Sequence, residues 1–173
     1  MNLLIGGTAA PSFDDPLEML RACHGRIQSQ CGTLNKLLAH LPQHGCDTQT
    51  QQAARAILRY FDTAGRHHHD DEEKDLFPRL LATSSVEAQT LVARLLGEHQ
   101  IMDAAWLRLR SDLTGIADGT SSKLDAVAAE HFIAVYDSHI ALENSQLLPL
   151  AEKLLSVTQL ETLGKSMAAR RMN

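Results

Sequence analysis

Several features are scarce in this 173-residue sequence, and each scarcity argues against a class of protein. Aromatic residues make up only 4 %, and β-branched residues are few, so helix-favouring Ala, Leu, Gln, Arg and Glu dominate. The three cysteines are odd in number and lack zinc-type spacing, which argues against a disulfide framework or a thiolate zinc site. Reduced thiols of this kind are typical of a cytoplasmic protein.

Long apolar runs are also missing. The first residues hold no Lys or Arg before a three-residue apolar run, whereas a signal peptide needs about 7–15 apolar residues. No run approaches the length of about 18 residues that a membrane span requires. The net charge of −5 comes without a basic stripe, which argues against a nucleic-acid partner. The sequence therefore predicts a cytoplasmic protein with neither a membrane nor a nucleic acid as partner.

What the sequence does contain predicts an all-α domain. Apolar residues make up 44 % and charged residues 21 %, which is typical of one globular domain and is here assigned to residues 1–173. The first long helix should end near Leu41, before Pro42 and Gly45. Side chains that cap helix N-termini are predicted at Asp15, at Asp47 or Thr48, at Ser84, at Ser122, and at Ser156 in a capping box with Gln159.

The connections between these helices are short, so consecutive helices should be antiparallel neighbours. The predicted architecture is an up-down-up-down four-helix bundle over about residues 14–153. A short additional C-terminal helix should follow over about residues 157–171.

An internal repeat relates the second predicted helix to the fourth. In each copy a histidine is followed four residues later by a glutamate, then by a leucine and a proline. This repetition predicts two helical hairpins related by a pseudo-twofold axis. The corresponding positions are His68 and His139, Glu72 and Glu143, and Pro78 and Pro149.

Four of the nine histidines should lie at one height in the bundle, and these are His24, His68, His99 and His139. Two residues of antiparallel helices are level when the turn lies midway between them. The midpoints of the successive pairs are residue 46, the bond between residues 83 and 84, and residue 119. Each midpoint falls in a predicted turn, so we expect the four imidazoles to meet in one cross-section.

This layer has the chemistry of a metal site. Residues four apart share a helix face, so each histidine of the repeat points the same way as its glutamate. Buried carboxylates and imidazoles are costly without partners, and a donor set without thiolate suits iron, manganese or zinc. Two carboxylates can bridge two ions and leave each with an open position. The predicted ligands are His24, His68, Glu72, His99, His139 and Glu143.

Two other assignments compete with this one. A ferritin-like site would need Glu-x-x-His motifs, and the sequence has none. A slip of one residue would replace His68 and Glu72 by His69 and Glu73. We favour the first pair because Leu76 continues its stripe, and because neighbouring helical positions point about 100° away. His69 is therefore expected to be solvated or to support the ligands from outside.

Residues 68–78, Glu98-His99 and residues 139–149 resemble the hemerythrin-like family of HHE cation-binding domains. The resemblance covers about residues 14–153. It implies a non-haem centre of two iron ions bridged by carboxylates, which zinc or manganese can replace. Members of this family bind dioxygen, sense oxygen or iron, handle nitric oxide or peroxide, or help to repair iron-sulfur centres.

The sequence departs from the oxygen-carrying hemerythrins at Asp103. Those proteins have a second histidine there, four residues after the one on the third helix. Asp103 is either an additional ligand or a hydrogen-bond acceptor for a ligand. The departure argues against pure oxygen carriage and favours redox reactivity.

The leading functional hypothesis is a di-iron protein that binds dioxygen or another small diatomic molecule for sensing, storage or stress response. The alternatives are an enzyme of redox defence that acts on peroxide or nitric oxide, and an iron donor for the repair of iron-sulfur centres. Whether the protein is an enzyme stays open at this point, as does any protein partner.

Overall fold

The computed structural model describes residues 10–172, and these contain helices but no strand, so the all-α prediction is confirmed. Two π-helical turns, Glu72–Leu76 and Glu143–Leu147, each join two α-helices. No helix within residues 10–172 combines the length and the apolar character that a membrane span needs. The α-helices are α1 (Pro16–His44), α2 (Thr48–Asp62), α3 (Ala64–Asp71), α4 (Phe77–Leu81), α5 (Val86–Ala117), α6 (Ala126–Leu142), α7 (Leu148–Leu154) and α8 (Val157–Arg170).

Three of the predicted helix starts are confirmed by their hydrogen bonds. The carboxylates of Asp15 and Asp47 each accept a bond from the backbone NH three residues further on. Ser156 and Gln159 form the predicted capping box, in which each side chain bonds the other residue's backbone. These bonds satisfy NH groups that the first helical turn leaves without partners.

Two predicted caps are wrong by a few residues. Ser84 has a positive φ of 59° and belongs to the turn, so Ser85 caps α5 instead. Asp125, and not Ser122, caps α6 by accepting a bond from a backbone NH at 3.0 Å. Both α5 and α6 therefore begin later than the sequence signals indicated.

Two helix boundaries also differ from the prediction. α1 passes through Pro42 and ends at His44, because a proline this close to the end removes only one backbone donor. Gly45, with φ of 65°, then closes the helix. The predicted second helix is interrupted at Thr63, whose hydroxyl donates to the Arg59 carbonyl at 2.6 Å. Such a bond competes with the helical ladder.

The two π turns arise next to the repeated prolines. Pro78 and Pro149 each follow a glutamate of the repeat by six positions. A proline lacks an NH group, and its ring clashes with the carbonyl four residues earlier. In the structure the residue before each proline donates to the glutamate carbonyl five residues back, which gives the wider π turn. As a result Glu72 and Glu143 each begin a π turn, a local form often found at functional sites.

The helices enclose two apolar layers with a polar layer between them. α1 packs against α2 and α6, and α5 packs against the same two helices. Along α1, Leu20 belongs to one apolar cluster and Ile27 to the other, and His24 lies between them. Along α5, Leu95 and Met102 flank His99 in the same way. The apolar layers therefore shield the polar layer from water on both sides.

Helix α8 approaches the backbone of Phe13 closely at Gly164. A Cβ atom added to Gly164 would lie 1.9 Å from the Phe13 carbonyl oxygen. We expect Gly164→Ala to lower the free energy of unfolding by about 1–3 kcal/mol, because the backbone must move. The matched control is Gly32→Ala in α1, where a Cβ meets nothing within 4 Å. That change should be neutral or stabilising by up to about 1 kcal/mol. Equal stabilities in urea titrations would contradict the expectation.

Candidate metal centre

All six predicted ligand residues come together in the polar layer. Four helices each contribute one histidine, and each π turn contributes its first glutamate. Every one of these residues is buried, with at most 1 % of its surface exposed. The residues are His24, His68, Glu72, His99, His139 and Glu143.

Their ligand atoms form two overlapping groups that share both glutamates. Within each group the nitrogen and oxygen atoms all lie within 4.8 Å of one another, as the ligands of one metal ion do. The first group is His24, His68, Glu72 and Glu143, and the second group is His99, His139, Glu72 and Glu143.

Each shared carboxylate directs one oxygen toward each group. The oxygens of Glu72 lie 3.3 Å from Nε2 of His68 and 3.4 Å from Nε2 of His99. Glu143 repeats the arrangement, with oxygens 3.0 and 3.1 Å from the Nε2 atoms of the other two histidines. Each carboxylate is therefore placed so that it could provide one oxygen ligand to an ion in each group.

The arrangement of these nitrogen and oxygen atoms suits metal coordination better than it suits hydrogen bonds between the residues themselves. With the four imidazoles neutral and their Nε2 atoms unprotonated, the four carboxylate oxygens of Glu72 and Glu143 have no hydrogen-bond donor among residues 10–172. The Nε2 atoms of His99 and His139 face each other at 3.1 Å. Buried carboxylate oxygens without partners cost several kcal/mol each, by order of magnitude. Two cations would satisfy every one of these atoms, and imidazole with carboxylate suits iron, manganese or zinc.

Carboxylates orient both imidazoles of the second group. Nδ1 of His99 lies 2.6 Å from Glu73, and Nδ1 of His139 lies 2.8 Å from Glu98. With Nε2 facing the metal position, Nδ1 carries the hydrogen and donates it to the carboxylate. A partner of this kind fixes the ring and makes its ligating nitrogen more basic.

The first group lacks such carboxylates. Nδ1 of His24 lies 2.7 Å from the amide oxygen of Asn144. Nδ1 of His68 is buried and has no hydrogen-bond partner in the described part of the chain. The two groups therefore differ in donor strength, and the imidazoles of the second group are the stronger donors.

None of the three partners Glu73, Glu98 and Asn144 was predicted from the sequence. Each lies next to a ligand in the chain, which was the available signal. A helical neighbour points about 100° away from the ligand, so it can reach a ligand on the adjacent helix. Only the packing of the helices decides which neighbours do so.

The carboxylates change the imidazole pKa values. Burial opposes protonation of His24, but the carboxylates of Glu143 and Glu72 outweigh it and raise its pKa to about 10. Burial opposes protonation of His99 as well, but Glu72 and Glu73 raise its pKa to about 9. In protein stripped of metal, both imidazoles are therefore protonated on both nitrogens and positively charged at neutral pH.

Metal binding at pH 7 should consequently release at least two protons per chain, because a ligating imidazole must be neutral. Apparent metal affinity should rise with pH until both pKa values, about 9 and about 10, are passed. Calorimetric titrations in buffers with different ionisation enthalpies measure the proton count. Binding without proton release would contradict the geometry around His24 and His99.

Asp103 and His69 lie beside the centre and belong to neither group. Both line a cavity of about 260 Å³, together with Trp106 and Tyr136. The ring of His69 stacks on that of His99, with centroids 4.1 Å apart and planes 12° apart. Nε2 of His69 is buried and has no hydrogen-bond partner within residues 10–172. Asp103 is exposed at the cavity wall and contributes no atom to either group of ligands.

Comparison with known proteins decides the family. The sequence model described as "Hemerythrin HHE cation binding domain" matches residues 15–151. The chain belongs to this family. The match confirms the resemblance drawn from the repeat, and the buried His/Glu groups of this HHE domain are those that can hold a cation.

The HHE domain also has a relative of similar length. It is 35 % identical over 160 residues to a protein of Haemophilus influenzae described as "Uncharacterized protein". The alignment covers 92 % of this chain and 92 % of the relative. The two proteins are therefore similar well beyond the ligand motifs.

Proposed function

We propose that this HHE domain holds two iron ions bridged by Glu72 and Glu143, and that it binds dioxygen or another small diatomic molecule there for sensing, storage or stress response. The observation that carries the proposal is the pair of overlapping ligand groups that share both carboxylates. Zinc or manganese would suit the same donors and can substitute in a given preparation.

Each ion would receive two imidazole nitrogens and two carboxylate oxygens from the protein. Four protein donors leave further coordination positions for solvent and for a small molecule. The iron pair, when bound, supplies electrons and these open positions. The chain itself supplies the buried, oriented ligands and the apolar layers that keep bulk water away.

The cavity beside the second group favours a small ligand. Its wall contains His69, which stacks on the ligand His99. The His69 side chain therefore lies between the cavity and His99. At about 260 Å³ the cavity is smaller than the roughly 300–1,000 Å³ of sites for drug-sized molecules. A cavity of this size is sufficient for a ligand of a few atoms.

Asp103 favours a second candidate, an enzyme of redox defence that acts on peroxide or nitric oxide. It stands at the exposed cavity wall and gives the second group no additional imidazole. The second ion would then be less saturated than with a further histidine. An open position next to a cavity suits a ligand that is transformed as well as one that is merely bound.

An anaerobic titration distinguishes these candidates. Protein loaded with Fe²⁺ is exposed in turn to dioxygen, nitric oxide and hydrogen peroxide, and its optical spectrum is recorded. A new band that disappears when dioxygen is removed supports ligand binding, whereas continued consumption of peroxide or nitric oxide supports the enzyme. The double variant Glu72→Gln/Glu143→Gln is the control for free iron. Identical behaviour of the two proteins would overturn the proposal.

We also propose that the chain forms a single domain whose bundle helices run in up-down-up-down order, and that the protein is cytoplasmic. Contacts that run in opposite directions along α2 and α5 favour the order, since Arg55 donates to the Ala117 carbonyl and Trp106 donates to Asp62. The three cysteines are free thiols, which favours a reducing compartment.

A further inference from the structure

The C-terminal helix α8 lies beyond the residues that match the family, which end at residue 151. It packs against α1, α3 and the first π turn. Gly164 allows α8 to approach the Phe13 backbone so closely that no Cβ fits between them. The end of α8 is thereby held beside the residues that precede Glu72.

Two arginines at this end bind two aspartates at the π turn. Arg171 donates two hydrogen bonds to the carboxylate of Asp71, at 2.7 and 3.2 Å. Arg170 donates to Asp71 and also to Asp75. Asp71 is completely buried, so its charge depends on these two partners. Two-pronged arginine–carboxylate pairs fix direction as well as charge.

These contacts belong to the first π turn alone. In the repeat, the positions of Asp71 and Asp75 correspond to Leu142 and Gln146, which carry no charge. The second π turn therefore has no equivalent of these contacts between arginine and aspartate. Since the pair of arginines is not needed to form a π turn, its position beside Glu72 calls for a separate reason.

We infer that Arg170 and Arg171 are positioning residues for the metal centre, and that they act through Asp71 and Asp75 to hold Glu72 between the two ions. The inference rests on the proposed function. Asp71 directly precedes Glu72, and Asp75 lies in the same π turn. Fixing both aspartates fixes the rotation of the turn, and with it the direction of the two Glu72 oxygens. A turn free to rotate would let Glu72 withdraw from one ion.

The test compares full-length Arg171→Gln and Arg170→Gln/Arg171→Gln with wild type. Each protein is loaded with Co²⁺, whose visible spectrum reports on coordination, and the release of Co²⁺ to a chelator is timed. We expect release to be roughly tenfold faster, in line with the effect of groups that orient ligands, and the spectrum to change. The matched control is Arg108→Gln, which removes an exposed ion pair with Asp125. It should behave as wild type.

Two further variants test whether the geometry of the arginine contacts, and not their charge alone, controls metal release. Arg171→Lys keeps the charge but loses the two-pronged contact, so its release rate should be intermediate. Gly164→Ala displaces α8 and keeps both arginines, and it should also accelerate release. If the glutamine variants lower the melting temperature of metal-stripped protein but release Co²⁺ at the wild-type rate, their role is merely structural and the inference is wrong.

The same experiment separates failure of the inference from failure of the proposed function. Wild type that holds two ions, with variants that release them at an unchanged rate, overturns the inference alone. Wild type that holds no Co²⁺ overturns the inference together with the proposed function.

Discussion

Replacing Glu143 with glutamine should remove both metal ions from the protein, whereas replacing His24 with glutamine should remove only one. Glu143 directs one oxygen to each ligand group, so in the proposed two-ion centre its charge would serve both ions. His24 belongs to the first group alone. The loss at Glu143 should exceed the roughly 100-fold upper range seen when only an orienting partner is removed.

Metal content per chain after dialysis against a weak chelator measures this difference. Glu130→Gln is the matched control, because Glu130 is an exposed glutamate on the same helix, α6. It should retain both ions. If the Glu143 variant also keeps two ions, that carboxylate does not bridge them. If the His24 variant loses both, the two groups do not act as separate sites.

The second large effect concerns the difference in donor strength between the imidazoles of the two ligand groups. Glu98→Gln should weaken the binding of one ion about 10–100-fold and leave the other nearly unchanged. Glu98 lies 2.8 Å from Nδ1 of His139, a ligand of the second group only. Glutamine replaces the carboxylate with a neutral amide, which removes the negative charge that makes this imidazole a strong donor. The first equivalent of metal should accordingly bind at the second group in wild type.

Stepwise titration with Co²⁺ in competition with a chelator resolves the two affinities. Glu87→Gln provides the control, since Glu87 is exposed near the start of the same helix, α5. The expectation is a selective loss of the tighter step in the Glu98 variant and an unchanged curve in the control. Equal weakening of both steps would mean that Glu98 acts on the fold as a whole.

The layer of histidines was predictable because it depends on quantities that a sequence contains. The rise per residue of a helix is fixed, so the chain distance from His68 to His99 places their common turn. The structure brings these two residues together with the other four predicted ligands. Stepping by four residues likewise placed Glu72 beside His68 without any knowledge of packing.

The π turns were not predicted, although their cause lies in the sequence. Pro78 signals an interruption, but a proline can end a helix, kink it or widen one turn. The structure shows the last of these, with Phe77 donating to the Glu72 carbonyl. Packing on both sides of the proline keeps the chain helical and so decides the outcome. The displaced cap at Ser85 has a comparable origin, since two adjacent serines compete for one role.

Contacts between distant parts of the chain could not be predicted from the sequence. Arg171 and Asp71 are separated by 100 positions, and no periodicity links them. The place of Asp103 also depends on how α5 is rotated about its own axis. The structure turns Asp103 toward a cavity wall and Met102 into the core. A sequence pattern fixes the face of a helix only to within about one residue, or 100°.

The iron content of protein loaded anaerobically with Fe²⁺ tests the central claim most directly, once weakly bound metal has been removed. Two iron ions per chain in wild type, and none in Glu72→Gln/Glu143→Gln, are the predicted results. They would mean that the shared carboxylates hold a pair of ions. One iron or none in wild type, or two irons that survive the loss of both glutamates, would contradict the account.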